Sequence, residues 1–408
     1  MQINQLEIKN FKGFEHKIFN LNPHFTVFIG ENASGKTSVL DALAIAAGSF
    51  LIEIPATETR NIKEDEIRIK MIENVAKLQK PVIIKATGLV NTFEMTWTRS
   101  LEKQKTTTKG ASDIRATAGL MHIDSIDIPT ITFPLIAYHG TGRLWAEHKT
   151  QYSKILDNTT AGYSNCLSAK SSSKEFLSWF KTMEDEIRKF DQPNDRLLFN
   201  TFKKAIISMI PDARWEDMAY SFRDDALMGI YTDETGKKNK LSFNQLSDGY
   251  RNMIGMVADL AYRCIQLNPH LGENAIKKTP GIVLIDELDL NLHPKWQRRL
   301  VQDLKACFPC VQFVATTHSP FIIQSLKADE YIILDKISDA NPNNLDIGTI
   351  VQYLMGVDSI FSTNNEAAYT VNTQVLSNIK NMDSADDITA ELNQITDPAL
   401  RAFLALQR

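Results

Sequence analysis

The sequence predicts an α/β fold: a mixed or parallel sheet with a phosphate loop, an accessory β lobe, a short helical insertion and a C-terminal helical extension. Three observations predict it. Four apolar residues, Ile282 to Ile285, run straight into two adjacent carboxylates, Asp286 and Glu287. An unbroken apolar run suits a strand buried on both faces, and open α/β sheets bind ligands at the C-terminal ends of such strands. A second condensed run, Phe25 to Ile29, leads into Gly30-Glu31-Asn32-Ala33-Ser34-Gly35-Lys36-Thr37 and then the apolar-periodic Val39, Leu40, Leu43 and Ala46. Finally, the helical patterns are short and sustain no heptads, so no long coiled coil is encoded.

Composition sets the class. The 408 residues allow a large core and more than one folding unit, and 43% apolar with 23% charged residues is ordinary for a globular protein. A net charge of −4 argues against a wholly basic nucleic-acid binder, though not against a local basic patch. No apolar run approaches the ~20 residues of a membrane span, and the first residues lack a signal-peptide layout. Four cysteines suggest a reducing compartment, so the expected location is the cytoplasm.

Each element then has a local reason. Ile3, Leu6 and Ile8 suggest a strand before the phosphate-loop strand. The loop itself fits G-x-x-x-x-G-K-[ST] between strand and helix, where backbone N–H groups can wrap phosphates. Lys36 adds a point charge and Thr37 a hydroxyl for Mg²⁺. Residues 50–130 read as an accessory β-rich lobe, from alternating runs at Glu66–Lys70, Val82–Lys85 and Phe93–Trp97. Lys103 to Gly110 reads as a solvated basic loop. Ile131 to Tyr138 is another condensed strand, ending in His139-Gly140-Thr141-Gly142-Arg143. Arg143 is open to a phosphate, a partner or a surface ion pair.

Residues 145–212 change character. Ser171–Ser173 offers an N-cap to a helix bearing Phe176, Leu177, Phe180, Met183 and Ile187. A second helix over Arg196–Ile210 is expected to end at Pro211. Strand-like pieces at 213–222, 227–232 and 240–243 are expected to return the chain to the sheet. Leu246-Ser247-Asp248-Gly249 then opens a helix, leaving a hydroxyl and N–H groups pointing outward as an anion site. Pro294 starts the next helix, and Val311 to Thr316 is a buried strand that ends at Thr317-His318-Ser319. Tyr331 to Leu334 closes the sheet. Beyond residue 343, helices are expected at 346–355 and 367–380, then an acidic turn at Asp383–Asp387 and an amphipathic tail at 398–406. Cys307-Phe308-Pro309-Cys310 lacks the four ligands of a structural zinc and reads as buried thiols.

The ordered set of phosphate loop, Leu246–Gly249, Asp286-Glu287 and Thr317-His318-Ser319 resembles the ABC-type ATPase family, in its branch of SMC and RecF-like heads. The resemblance covers roughly residues 1–50, 131–143 and 240–335. Within that branch, Tyr138–Trp145, Leu246–Tyr250 and His293–Gln297 are similar to ATP-binding proteins of bacterial anti-phage defence, the ATPase subunits of Septu-type and related retron systems. The expected divisions are 1–144 and 213–342 as the two head lobes, 145–212 as the helical insertion and 343–408 as the extension.

The resemblance implies hydrolysis of ATP to ADP and phosphate by a homodimer or a higher even-numbered homo-oligomer. Residues Gly30 to Ser38 of one subunit would hold ATP, and Leu246, Ser247, Asp248 and Gly249 of another would close on it. Thr37 and Asp286 would hold Mg²⁺, Glu287 would polarise water, and His318 and Lys36 would act on the γ-phosphate. Asp289 and His293 would lie at the dimer seam. Many members carry a Gln where this chain has Tyr138 to Thr141, so His139, Thr141 or water would take its place. The implied partner is an effector such as an HNH-type nuclease. Direct binding of nucleic acid is the RecF-like alternative, and no membrane coupling is expected.

Overall fold

The apolar runs assemble as one five-stranded parallel sheet. The computed structural model describes residues 1–144, 159–168, 174–210, 214–335, 338 and 340–358. The chain opens with β1 (Gln2–Phe11), β2 (Phe14–Asn20) and β3 (Phe25–Ile29), followed by α1 (Lys36–Ala47). A small hairpin, β4 (Ile69–Ile72) and β5 (Val75–Leu78), precedes β6 (Val82–Val90), β7 (Phe93–Leu101) and β8 (Thr106–Thr107). Next come α2 (Ser112–Asp127), β9 (Leu135–His139), α3 (Lys174–Phe190) and α4 (Pro193–Met209). Three strands, β10 (Trp215–Ser221), β11 (Ala226–Thr232) and β12 (Lys238–Ser242), lead to α5 (Asp248–Leu267) and the short α6 (Ala275–Lys278). The last elements of this unit are β13 (Gly281–Ile285), α7 (Pro294–Cys307), β14 (Val311–Thr316), α8 (Pro320–Gln324) and β15 (Tyr331–Ile333).

The parallel sheet runs β15-β3-β14-β13-β9. Every residue of β3, β9, β13 and β14 is buried, as continuous apolar runs require when both faces are covered. Register puts Ile285 opposite His139 and Ala315, so the strands end together on one edge. At the other end, a Cβ on Gly281 would stand 2.1 Å from the Leu135 carbonyl oxygen, which explains a glycine there.

The β-rich segment does not stand apart from the head. Strands β6, β7 and β8 extend the β2-β1 hairpin into one antiparallel sheet, β2-β1-β6-β7-β8. Helix α1 lies between this sheet and the parallel one. The Trp97 indole donates to Ala46 O at 2.9 Å, pinning the helix end to β7. Val39, Leu40 and Leu43 are fully buried, each worth about 1.5–3 kcal/mol of burial. Buried Gln312 joins the sheets, accepting from Ile3 N and donating to Ile3 O, both at 2.8 Å.

Two expectations need correction. Strands β10, β11 and β12 form their own antiparallel sheet rather than rejoining the parallel one. Of the two paired cysteines, Cys310 is exposed and Cys307 half-buried, so the pair is not a buried one. The expected N-cap at Ser171–Ser173, Pro211, the helix at 367–380, the acidic turn and the tail lie outside the described residues.

A second unit, Asp346–Arg408, follows the first, Met1–Leu345. Its described part is the turn α9 (Ile347–Thr349), where the Asp346 carboxylate accepts from Thr349 N at 3.0 Å, continuing into a π-helical turn over Ile350–Leu354.

Candidate nucleotide site

Three strand ends deliver the chemistry to one edge. β3 feeds the phosphate loop, β13 feeds Asp286 and Glu287, and β14 feeds Thr317 and His318. Asn32, Ala33, Gly35, Lys36, Thr37, Ser38, Asp286, Glu287, Thr316 and His318 line a single cleft of about 230 Å³.

The loop's backbone shows why its residues are small. Gly35 has φ +102° and Ala33 φ +67°, left-handed values that turn the chain sharply into α1. A side chain at Gly35 would strike the Phe14 ring, 2.7 Å from the Cβ position, and one at Gly30 would meet Ser34 Oγ at 2.6 Å. Gly30, Glu31 and Ser34 do not line the cleft; within the loop the Ser34 N–H donates to Glu31 O at 3.3 Å. The Lys36 ammonium donates to Gly30 O at 2.8 Å and Glu31 O at 2.7 Å. Burial lowers the Lys36 pKa from its ordinary value, and Asp286, Asp335 and Glu287 partly counter that. Asp335, just beyond β15, was not singled out from the sequence, because nothing in a lone Asp after an edge strand marks it.

The acidic pair is held by backbone and hydroxyl contacts. Thr37 Oγ1 donates to Asp286 at 3.0 Å, and Thr316 Oγ1 donates to the other Asp286 oxygen at 2.6 Å. The Glu287 N–H donates to Thr316 Oγ1 at 2.8 Å, and Glu287 takes φ +49°, an uncommon value for a non-glycine residue. That kink turns the Glu287 side chain into the cleft as the strand ends. Oxygen donors from Thr37 and Asp286, side by side in a cleft with room for water, match what Mg²⁺ prefers. Among the described residues no group of three or more His, Cys, Asp and Glu is placed to hold a metal.

The residues after Glu287 turn back on themselves. Asp289 Oδ1 accepts from Thr317 Oγ1 at 2.5 Å and from His318 N at 3.3 Å, tying this turn to the histidine. Exposed His293 caps α7, its Nδ1 accepting from Lys295 N at 3.2 Å. Gly249, at the start of α5, packs on the same turn: a Cβ there would be 2.3 Å from Asn291 O. Asn252 donates to Leu290 O at 2.8 Å beside it. Leu246 is buried, whereas Ser247 is exposed at the N-cap and its hydroxyl makes no capping bond to its own helix.

Two expected residues fall elsewhere. His139 does not face the cleft: it is 3% exposed, and its Nε2 meets Asp259 on α5 at 3.3 Å. Strand alternation is the reason, because Tyr138 takes the opposite face and its hydroxyl reaches Asp41 on α1 at 3.4 Å. Thr141 is exposed in the short turn Thr141–Leu144 and does not line the cleft. The Arg143 side chain lies outside what is described.

An AAA domain model matches residues 5–204, and a second, described for a proposed AbiEii toxin of a type IV TA system, matches 143–324. The retron Vc95 probable ATPase of Vibrio cholerae is 26% identical over 83% of this chain and 74% of that protein. The retron Ec83 probable ATPase of Escherichia coli is 25% identical over 82% of this chain and 71% of that protein. The chain is an ATPase similar to these retron proteins. This ATPase is also similar to Septu protein PtuA of Bacillus mycoides, at 28% identity over 81% of this chain and 40% of that protein. RecF of Lactococcus lactis is 38% identical, but over only 12% of this chain. The solved SMC head bound to the C-winged helix domain of ScpA shares 15% identity at TM-score 0.49, covering 82% of this chain and 94% of that one.

Proposed function

We propose that this ATPase closes as a pair around shared ATP and thereby governs a partner effector in bacterial anti-phage defence, in the cytoplasm. One observation carries the shared site. The cleft is lined by 32, 33, 35–38, 286, 287, 316 and 318, while Ser247 offers an exposed hydroxyl that its own helix does not use. A second copy can supply Ser247 and Gly249 to the open side of a bound triphosphate.

Within that site each residue has a task. Lys36 and the N–H groups of the loop hold the β- and γ-phosphates. Thr37 and Asp286 hold Mg²⁺, which when bound offsets charge on the phosphate oxygens. Glu287 accepts a proton from the attacking water, and His318 positions the γ-phosphate. Asp289 and His293 lie on the turn that meets the partner copy.

The defence reading is favoured over a RecF-like repair role by extent: the retron and Septu proteins match over four fifths of the chain, RecF over 12%. Likeness to retron and Septu proteins supports an effector, such as a nuclease of the HNH kind. Glu287→Gln tests the site: ATP binding should persist, an ATP-bound dimer should accumulate, and hydrolysis should fall by roughly 10²–10⁴. Normal turnover by that variant would remove Glu287 as the base. Purification from native cells tests the partner: a nuclease should accompany the chain, whereas salt-dependent duplex binding by the chain alone would favour the repair role.

A further inference from the structure

Outside the cleft, one group of buried charged and titratable side chains meets at the end of β9. Asp259 and Arg263, both in the middle of α5, are 2% and 0% exposed, and His139 ends β9 beside them. Asp259 Oδ2 accepts from Arg263 Nε at 2.8 Å and meets His139 Nε2 at 3.3 Å. Arg263 Nη1 donates to Gly162 O at 2.7 Å and Ser164 O at 2.9 Å. That segment returns to the strand, since Cys166 O accepts from Tyr138 N at 2.7 Å. Burial pushes the Asp259 carboxyl up, but Arg263 and His139 more than offset it and leave the pKa at about 2.

The same histidine touches the nucleotide site through its backbone. His139 O accepts the Asp286 N–H at 2.8 Å. Its neighbour Tyr138 reaches Asp41 of α1, the helix that begins at Lys36. The end of β9 therefore contacts the phosphate-loop helix on one face, the Ser247 helix on the other, and Asp286 along its edge. Packing alone gives no reason to bury an Asp–Arg pair against a histidine, because apolar residues of similar volume would fill the space at no desolvation cost. What ionic contacts add is a single allowed register between the elements they join.

We propose that His139, Asp259 and Arg263 are positioning residues that lock α5 to the Asp286 strand edge, so that nucleotide held at Thr37 and Asp286 sets where Ser247 is presented to the other copy. The proposal rests on the shared-site reading. Helix α5 is buried over nearly its whole length after Gly249, so it transmits a shift at Asp259 to its N-terminus as a rigid rod. From Asp259 to Ser247 is about three turns, on the order of 18 Å.

The test compares His139→Ala and His139→Gln with the full-length wild-type chain. Four quantities are read: affinity for a non-hydrolysable ATP analogue, melting temperature, kcat with KM, and ATP-driven self-association. His139→Ala is expected to bind the analogue within about twofold of wild type, yet to lose between about 10- and 100-fold in kcat and most of the self-association. His139→Gln, whose amide can donate to Asp259, should restore most of both. His139→Ala with unchanged kcat and association would overturn the proposal. So would a His139→Ala that loses analogue affinity and melting temperature together and is not rescued by Gln, which marks ordinary core packing. A wild-type chain that never associates with ATP would sink the shared-site reading and this proposal with it; association left intact by His139→Ala would sink the proposal alone.

Discussion

Lys36 lies in the field of three carboxylates, and they do not have the same role. Asp286 and Glu287 face the cation and water positions of the proposed site. Asp335 sits behind the loop, with Oδ2 3.3 Å from where a Gly30 Cβ would be. It gives Lys36 a negative neighbour but also repels an incoming triphosphate. Asp335 is exposed, so the repulsion is screened to about 1 kcal/mol or less. Asp335→Asn should therefore bind ATP roughly two- to fivefold more tightly, an advantage over wild type that shrinks as salt rises. A fluorescent-nucleotide titration at two salt concentrations checks this. Weaker binding would mean instead that Asp335 chiefly holds Lys36 in place.

At the scale of elements, the turn over Leu288–His293 is where the Ser247 helix meets the acidic strand. Gly249 approaches Asn291 O too closely for any side chain, and Asn252 fastens the contact to Leu290 O. Gly249→Ala must displace this turn, and with it Asp289 and its bonds to Thr317 and His318. Hydrolysis should fall by about tenfold or more while ATP binding remains, as steady-state and equilibrium measurements would show. The elements themselves differed in how far they could be read. Parallel strands were legible because burial on both faces leaves an unbroken apolar run, as in Ile282–Ile285. Helix α2 was not read, because Leu120, Ile123 and Ile126 are exposed while Ile114, Ala118 and Met121 are buried, so apolar residues ring the helix and no clean stripe appears. Strands β10 to β12 were legible as strands, but alternation does not name a partner strand. His139 was misplaced for a related reason: closeness to the ligand edge says nothing about which face of the strand a side chain takes.

Across the whole molecule, the question is whether one chain holds a complete site. No helix among the described residues is long and apolar enough to cross a membrane. Lys36 and Ser247 belong to one chain but, in the proposed dimer, to different ATP sites. Lys36→Ala should be inactive because it cannot hold the triphosphate. Ser247→Arg should be inactive because it blocks the surface offered to the other copy; as Ser247 is exposed, the chain should still fold. An equimolar mixture then makes half of its dimers hetero-pairs, each with one site carrying both an intact Lys36 and an intact Ser247. If sites turn over independently, the mixture should recover up to about a quarter of wild-type hydrolysis from two inactive proteins. Recovery should rise with total protein concentration, since pairing is a second-order event. A mixture that stays inactive at every concentration, although wild-type chains associate with ATP, would show that each chain completes its own site and that Ser247 acts within it.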